Sequence, residues 1–259
     1  MSGDQKEPVL LRFVCRLRGG SQPILAEASD GLRYVVKFAN QPQGPNLLFN
    51  ESIGTELYRR AHLTVPAWRP LRITESFVCQ NQSCWLETPD GFEPPQTGLC
   101  FGSCHLGSNH IRLYELLSGR GYLRVRNRND FWIAWLLDVC AFHADNRQAV
   151  FCQGLDGKYC GAFIDQGHMF GGPKGEKDMS FAAPAYLDRR IYPSINFEPM
   201  EKLVGKVLKI NYDRLWSKAQ KLPEEWKTDS AFARLSDSLS ILSCSKIVEN
   251  IFEELLAGC

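Results

Sequence analysis

The stretch NDFWIAWLLDVCAFHADNRQAVF, residues 129–151, joins a long apolar segment directly to a short polar loop. Residues 129–143 are apolar almost all round, which predicts a helix buried in the centre of the protein. The loop that follows, His143 to Gln148, carries many polar groups, and such groups are costly to bury unless they are satisfied. This pattern favours a functional loop, in which Asp145 is the candidate for orienting or deprotonating an attacking hydroxyl.

A predicted β-hairpin follows this loop and ends in a second candidate aspartate. Its strands are Ala149–Cys152 and Cys160–Ile164, joined by a turn around Asp156-Gly157, and the second strand leads into Asp165-Gln166-Gly167. A carboxylate at the end of an apolar strand, with glycine two residues later, has the form of the metal-binding aspartate in the Asp-Phe-Gly motif. An ordinary turn after a strand is the alternative. The spacing of the two aspartates leaves room for one hairpin between a catalytic loop and a metal ligand.

The beginning of the chain predicts an antiparallel meander with a glycine-rich first turn. Its strands are residues 10–18, 24–28 and 33–38, and Asp30-Gly31 is a strong hairpin signal. Glycines allow a backbone to approach a phosphate and to point N–H groups at it, although most turns of this kind have no such role. The candidate phosphate-binding residues of the first turn are Gly19, Gly20, Ser21 and Gln22.

Lys37 lies within the clearest strand prediction of the chain, YVVKF at residues 34–38. An exposed, alternating position would accommodate a lysine equally well. The functional alternative is a lysine aimed at the α and β phosphates of a nucleotide, as in the Val-Ala-Ile-Lys strand of protein kinases. Such a lysine needs a carboxylate partner. Glu51, on a helix predicted over residues 50–62, is the leading candidate, and Glu56 is the second.

The rest of the chain divides into a strand-rich beginning and a helical remainder, which predicts an α+β fold. Further strands are expected around Leu71–Ile73 and Cys84–Glu87, and residues 88–110 are expected to form an irregular loop or linker. Helices are also predicted over residues 111–118, 184–192, 198–206, 209–221 and 230–256. We therefore place a strand-rich lobe at residues 1–90 and a mainly helical lobe at residues 91–259.

Composition and charge are those of an ordinary globular protein, since 44% of the 259 residues are hydrophobic and 23% are charged. The net charge is +1, from 30 basic and 29 acidic residues, so nothing favours binding to nucleic acid or to an anionic membrane. The polar first residues contain no apolar signal core, and no run reaches the about 20 apolar residues of a membrane span. We therefore expect a cytoplasmic protein, whose oligomeric state the sequence does not indicate.

A basic cluster and two cysteine pairs each have two interpretations. The cluster is either a solvated loop or a site for phosphate or an acidic substrate; it comprises Arg120, Arg124, Arg126 and Arg128. The ten cysteines are expected to be mostly free thiols that pack as small hydrophobic groups. Zinc is the less favoured alternative for Cys79 with Cys84 and for Cys100 with Cys104 and His105, because their spacings are wider and less regular than those of structural zinc sites.

Taken together, these motifs resemble the HipA-like kinase family, in particular its compact stand-alone bacterial members. The matching segments span nearly the whole chain in the family's order: RGGSQP (18–23), YVVKF (34–38), Asn50-Glu51, LTVPA (63–67), GLCFGS (98–103), HADNRQAVF (143–151), FIDQGHMF (163–170) and PEEW (223–226). The resemblance implies a two-lobed, protein-kinase-like fold that uses ATP and Mg²⁺. It also implies phosphorylation of serine or threonine on a protein substrate, whose identity the sequence does not indicate.

Carried over position by position, the resemblance gives the main candidates their roles. Lys37 would hold the ATP phosphates, Asp145 would be the catalytic base, and Asp165 would bind the metal. Residues 19–22 would form the loop that covers the phosphates.

The nucleotide-binding candidates include three residues outside the glycine-rich turn. Glu51 would hold Lys37 in place, and Leu86 and Glu87 are added from the strand expected to end there. Within the turn, the hydroxyl of Ser21 is expected to be exposed and to be the first place to look for autophosphorylation.

The loop after Asp145 departs from the kinase pattern in a way that bears on activity. Kinases place an asparagine five residues after the catalytic aspartate as a second metal ligand, and this chain has Val150 there. Gln148 is the nearby amide, so either Gln148 reaches the metal or one Mg²⁺ site is weakened. An active protein kinase, a small-molecule kinase of the same fold and an ATP-binding pseudokinase are therefore the alternatives.

Overall fold

The computed structural model describes residues 7–108, 111–175, 185–194 and 197–257. Its strands are β1 Leu10–Arg16, β2 Ile24–Ala28, β3 Arg33–Lys37, β4 Trp68–Ile73, β5 Leu86–Thr88, β6 Gly91–Glu93, β7 Gly98–Cys104, β8 Arg112–Tyr114, β9 Gln148–Gln153 and β10 Tyr159–Ile164. Its helices are α1 Leu47–Arg60, α2 Glu75–Gln80, α3 Asn129–Cys140, α4 Phe197–Leu208, α5 Tyr212–Gln220, α6 Asp229–Leu242 and α7 Ser245–Ala257. Strands dominate the N-terminal part of the described chain, and helices dominate the C-terminal part.

The N-terminal sheet has five antiparallel strands in the order β1-β2-β3-β7-β4. The meander β1-β2-β3 turns at Asp30-Gly31, where Gly31 has a φ of 78° that glycine adopts without strain. β7 completes the sheet between β3 and β4 and pairs Phe101 with Lys37. Gly102 on β7 is required by the packing, because a Cβ there would lie 2.2 Å from Leu71 Cδ1.

The two faces of this sheet belong to different hydrophobic cores. One core is covered by the segment between β4 and β7, which includes α2 and β5; its members include Ile24, Tyr34, Val36, Phe38, Leu71, Phe77, Val78, Cys84 and Leu86. Phe101 belongs instead to the main core, together with α1 and the C-terminal helices. The sheet is therefore enclosed on both faces.

Helix α1 is buried at every position from Leu47 to Tyr58. Its polar residues find partners in the interior, as when Asn50 Nδ2 donates to the carbonyl oxygens of Gly167 and Met169 at 3.0 and 2.8 Å. Gly54 allows the same segment to approach the helix, because a Cβ at Gly54 would lie 2.7 Å from Met169 Sδ. The helix is thus held between the N-terminal sheet and the segment that follows β10.

Helix α3 is the centre of the C-terminal part, and each of its residues from Phe131 to Cys140 is buried. The helices α4, α6 and α7 pack against it. Beside them lies a three-stranded antiparallel sheet in the order β10-β9-β8. In this sheet Gln148 pairs with Ile164, so the loop that precedes β9 lies next to the residue that follows β10. The register therefore brings Asp145 and Asp165 to the same edge.

Most of the elements predicted from the sequence are confirmed with small shifts at their ends. These are the meander, the helix after Lys37, the buried helix, the hairpin β9-β10, and the helices near residues 198–206 and 209–221. No described helix is long and apolar enough to cross a membrane.

Several predicted elements are wrong. The segment at residues 88–110, which is expected to be a loop, contains β6 and β7. β7 is a central strand that the sequence does not predict, because its two glycines and the prolines before it are uncommon in strands. Residues 111–118 contain β8 rather than a helix. The single helix expected at 230–256 is two helices, since the chain breaks at Ser243-Cys244 without glycine or proline.

The helix expected at residues 184–192 is also wrong for the residues that the structure describes there, 185–192. Residue 184 lies outside the described residues, and the rest contains only the 3-10 turn Arg189–Ile191. The N-terminal sheet extends to Cys104, past the expected lobe division at residue 90. The bounds of the two lobes themselves stay a prediction.

Candidate active site

Three charged side chains from distant parts of the sequence meet at one point. Lys37, at the end of β3, donates from Nζ to Glu51 Oε1 on α1 and, at 2.7 Å, to Asp165 Oδ1 after β10. The partner expected for Lys37 is thus present. Glu56, the second candidate, instead pairs with Arg59 and Arg60.

The electrostatics of this cluster separate its two carboxylates. Burial alone would lower the pKa of Lys37, but Asp165 and Glu51 outweigh burial and raise that pKa well above its usual value. Burial raises the pKa of Glu51 to about 7, although Lys37 opposes the shift. Burial also acts to raise the pKa of Asp165, but Lys37 outweighs it and holds that pKa well below its usual range. Asp165 is therefore the more acidic of the two carboxylates.

Gly167 fits the cluster because nothing larger than hydrogen has room there. Its backbone N–H donates to Glu51 Oε1 at 3.0 Å, and the N–H of Gln166 donates to Glu51 Oε2 at 3.3 Å. A Cβ at Gly167 would lie 2.5 Å from Leu47 Cδ1 and 2.8 Å from Glu51 Oε1. Asp165 itself has a φ of 61°, a conformation that aspartate and asparagine tolerate better than most residues.

The polar loop after α3 places Asp145 close to this cluster through a buried histidine. Asp145 is partly buried, and its Oδ1 accepts from the N–H of Asn146 at 2.7 Å. His143 Nδ1 lies 2.7 Å from the carbonyl oxygen of Asp145, and its Nε2 lies 3.4 Å from the carbonyl oxygen of Asp165. One imidazole thus spans the backbones of both candidate aspartates.

Arg147 anchors the same loop to the interior. Its guanidinium makes two hydrogen bonds to the carboxylate of Asp138 on α3, at 2.8 and 2.6 Å, and the side chains of this ion pair are only 1% exposed. Arg147 also donates to the carbonyl oxygen of Ile164 at 2.9 Å and lies over the ring of Tyr58 at 4.9 Å. The ion pair therefore ties the loop to α3, α1 and the end of β10.

The amide of Gln148 lies beside Asp165, whereas Val150 does not supply a polar group. Gln148 Nε2 donates to Asp165 Oδ2 at 2.8 Å. Val150 is part of β9, where it pairs with Ala162. Gln148 therefore lies next to Asp165, and a metal-binding role for Gln148 stays a prediction.

The glycine-rich turn lies against the connection between β3 and α1. A Cβ at Gly20 would lie 2.8 Å from Gln43 Nε2, and that nitrogen lies 2.9 Å from His168 Nε2. The turn is therefore close to the segment that follows Asp165. Ser21 is only 3% exposed, so the expectation of an exposed hydroxyl is wrong, because the side chain folds inward.

The other two predicted nucleotide-binding residues, Leu86 and Glu87, lie on β5. Leu86 is 1% exposed and packs in the hydrophobic core between the N-terminal sheet and the segment that joins β4 to β7. Glu87 is in contact with the glycine-rich turn through its backbone, to which the side chain of Gln22 is hydrogen-bonded. Their roles in binding a ligand stay predictions.

A cavity of about 390 Å³ adjoins the candidate catalytic loop. It lies between the β3–α1 connection and the segment after Asp165; its lining residues are Pro42, Gln43, Ala144, His168, Gly171, Gly172, Pro173 and Lys174. Because Ala144 is next to Asp145, a molecule in this cavity would be close to the candidate base.

The basic cluster and the cysteines, which each had two interpretations from the sequence, make ordinary contacts. Arg126 pairs with Asp156 at 2.5 Å, and Arg128 donates to the carbonyl oxygens of Arg190 and Ile191. Within the described ranges, no three histidine, cysteine or acidic side chains form a group that could hold a metal ion, and the nine described cysteines are free thiols.

Sequence reasoning missed several residues that hold the site together. Asp138 gives a signal, since it is the charged residue within the otherwise apolar stretch 131–140 of α3, and Arg147 is its natural partner. His143, Gln43 and His168 give no comparable signal, because their positions depend on long-range packing.

Comparisons with known proteins identify the fold. The crystal structure of the proinflammatory kinase CtkA of Helicobacter pylori has a TM-score of 0.59 and 13% identity, covering 94% of this chain and 97% of CtkA. Two structures of Golgi casein kinase, one with Mn/ADP bound, have TM-scores of 0.48 and 0.49 at 11% and 9% identity; they cover 96% and 97% of this chain and 72% and 74% of theirs. No family model and no curated protein matches the sequence.

The protein therefore has a two-lobed, protein-kinase-like α+β fold, as the sequence predicts. At 13% identity the likeness to CtkA extends to the fold alone. Membership of the HipA-like family stays a prediction.

The buried His143 should oppose folding in mild acid. Burial and the neighbouring Arg147 lower the pKa of His143 to about 4, whereas an unfolded histidine titrates near 6.5. The unfolded chain therefore binds a proton at this position that the folded chain refuses, so His143 should lower the free energy of unfolding by up to about 3 kcal/mol as the pH drops from about 6.5 to 4. Glu51 acts in the opposite direction, because its pKa of about 7 makes the folded chain the stronger proton acceptor there. Urea unfolding should therefore compare wild type with a His143→Asn variant, which should gain stability relative to wild type as the pH falls through this range. A variant with the same pH slope as the wild type would contradict the prediction.

Proposed function

We propose that this protein is an ATP-dependent phosphotransferase, and more specifically a serine/threonine protein kinase of HipA-like type. The single observation that supports this most strongly is the cluster of Lys37, Glu51 and Asp165 beside the loop that carries Asp145. A lysine held by a carboxylate, a metal-binding aspartate and a loop aspartate are the groups that phosphoryl transfer requires.

The residues present fit a nucleotide with Mg²⁺. Asp165 stays ionised, and its side chain is 24% exposed, so it is both charged and accessible, as a ligand of a hard cation must be. Gln148 would add its amide oxygen, and Lys37 would bind the α and β phosphates. The backbone N–H groups of the turn at residues 19–21 would face the phosphates.

The chemistry assigned to the chain consists of positioning and proton transfer. Bound Mg²⁺ would neutralise charge on the transferred phosphoryl group. Asp145 would orient the acceptor hydroxyl and take its proton as the oxygen attacks the γ phosphorus, while the bond from that phosphorus to the β,γ-bridging oxygen breaks and ADP leaves. His143 and Arg147 fix the backbone around Asp145, so the carboxylate needs little rearrangement before reaction.

The test is phosphoryl transfer by the purified protein. After incubation with Mg-ATP, mass spectrometry should find phosphate on the protein itself or on proteins of an added lysate. The Asp145→Asn variant should lower the rate by about 10²-fold or more, because it removes the general base. It should keep its stabilisation by Mg-ATP, since Asp145 is not assigned to nucleotide binding. Asp237→Asn, on the exposed face of α6, is the matched control and should act like the wild type.

A second candidate function follows from Val150. If that position weakens the metal site, the protein would be an ATP-binding pseudokinase. Thermal stabilisation by Mg-ATP without transfer to any acceptor would favour the pseudokinase. Transfer to metabolites but not to proteins would favour a small-molecule kinase of the same fold. Equal rates for wild type and Asp145→Asn would contradict the mechanism proposed here.

A further inference from the structure

The side chain of Gln22 forms a paired contact with a distant backbone. Its Nε2 donates to the carbonyl oxygen of Glu87 at 2.8 Å, and its Oε1 accepts from the N–H of Glu87 at 2.7 Å. Gln22 is also a non-glycine residue with a φ of 51°. Such a conformation costs free energy and persists only where surrounding contacts fix it. The two hydrogen bonds to Glu87 are contacts of this kind.

The segment that carries Glu87 is itself firmly attached to the sheet. We call residues 82–96, between α2 and β7, the strut. At the end that follows α2, Cys84 and Leu86 are buried in the same hydrophobic core as Tyr34 and Val36 of the sheet. Arg16 also donates to the carbonyl oxygen of Ser83 at 2.8 Å. The far end is held by Asn40, which donates to Pro94 O at 3.1 Å and accepts from the N–H of Gln96 at 2.8 Å.

The glycine-rich turn is fixed at its base and meets the candidate site at its tip. Hydrogen bonds from Leu17 N to Pro23 O at 2.8 Å and from Gln22 N to Gly19 O at 3.0 Å close the turn. Gly20 lies against Gln43, which contacts His168 beyond Asp165. The position of the turn relative to Lys37 and Asp165 therefore depends on what holds Gln22.

We propose that Gln22 is a positioning residue, which uses the strut to hold the glycine-rich turn over the phosphates of the nucleotide. This inference rests on the proposed function. The amide of Gln22 is occupied by the backbone of Glu87, so its effect on the nucleotide is exerted through the turn. A loop held in its binding conformation before the ligand arrives does not lose conformational freedom on binding, and this raises affinity.

The test compares two ligands that share a base and sugar but differ in phosphates. Gln22→Gly removes the amide but allows the positive φ, so the variant should fold. Mg-ATP should bind Gln22→Gly about tenfold more weakly than wild type, because an ordering cost of about 1.4 kcal/mol returns. Adenosine, which has no phosphates, should bind both proteins within about twofold of each other. Isothermal titration measures both affinities.

The control is Asn40→Ala, which releases the end of the strut that is remote from Glu87. It leaves the bonds between Gln22 and Glu87 in place, together with the buried Leu86 that anchors the strut next to Glu87. Its affinity for Mg-ATP should stay at the wild-type value. Unchanged Mg-ATP binding by Gln22→Gly would overturn the inference. Equal weakening of Mg-ATP and adenosine would also overturn it, since that result indicates a general loss of structure. Failure of the wild type itself to bind Mg-ATP would refute the proposed function, and the inference with it.

Discussion

The Asp165→Asn variant should lose phosphoryl transfer by about a thousandfold or more, while its fold is retained. Loss of the charge that holds Mg²⁺ removes several kcal/mol of transition-state stabilisation, and about 4 kcal/mol corresponds to a thousandfold in rate. Asn is the informative replacement because it tolerates the positive φ at this position. It also leaves the ion pair between Lys37 and Glu51 in place.

The measurement is transfer from labelled ATP, with the thermal midpoint recorded for each protein. Asp156→Asn is the matched control, because Asp156 lies in the turn of the same β-hairpin and pairs with Arg126 at the surface. This control should keep full activity. A fully active Asp165→Asn variant would contradict the metal-binding role. A large fall in its thermal midpoint would contradict the expectation that the fold is retained.

The Asp138→Ala variant should be destabilised by about 3–5 kcal/mol, because it leaves the guanidinium of Arg147 buried without its partner. Tyr58 would also lose one of the two acceptors of its hydroxyl, which lies 2.6 Å from Asp138 Oδ1 and 3.1 Å from the carbonyl oxygen of Ala134. For a chain of this size the thermal midpoint should fall by about 10 °C. Differential scanning calorimetry measures this midpoint.

The double variant Asp138→Leu/Arg147→Met separates stability from positioning. Replacing both charges by apolar groups of similar size should restore most of the lost stability. Its phosphoryl-transfer activity should nevertheless be lower than that of the wild type, because the loop then lacks the bond from Arg147 to Ile164 O that ties it to β10. Asp130→Ala, in the first turn of the same helix, is the control and should cost no more than about 1 kcal/mol. A stable Asp138→Ala variant would contradict the prediction.

The elements predicted correctly are those whose own sequence carries a strong pattern. YVVKF is rich in β-branched and aromatic residues, and residues 131–140 are apolar except for Asp138, so local propensity and burial agree. The sequence does not predict β7, because Gly102 weakens its strand pattern and is needed for packing against Leu71, a reason that is visible only when the sheet is assembled. The break between α6 and α7 has no glycine or proline, so tertiary packing decides it.

The candidate site was predictable as a set of residue types but not as a network. The order of Lys37, Glu51, Asp145 and Asp165 follows from motif spacing, and the structure brings Lys37, Glu51 and Asp165 together. The inward side chain of Ser21 could not be anticipated, because it depends on how the turn is held. Contacts such as that between Gln43 and His168 span more than a hundred residues and leave no local signal.

The burial of α1 on every side has a consequence for cooperativity. Its residues share one continuous interior with Phe101 of the sheet and with Leu235 and Phe252 of the last helices. Neither part of the chain can lose its structure without exposing apolar surface of the other, so the two should melt in a single transition rather than one after the other. A fragment that ends after β7 would leave α1 uncovered, and we therefore expect such a fragment not to fold by itself.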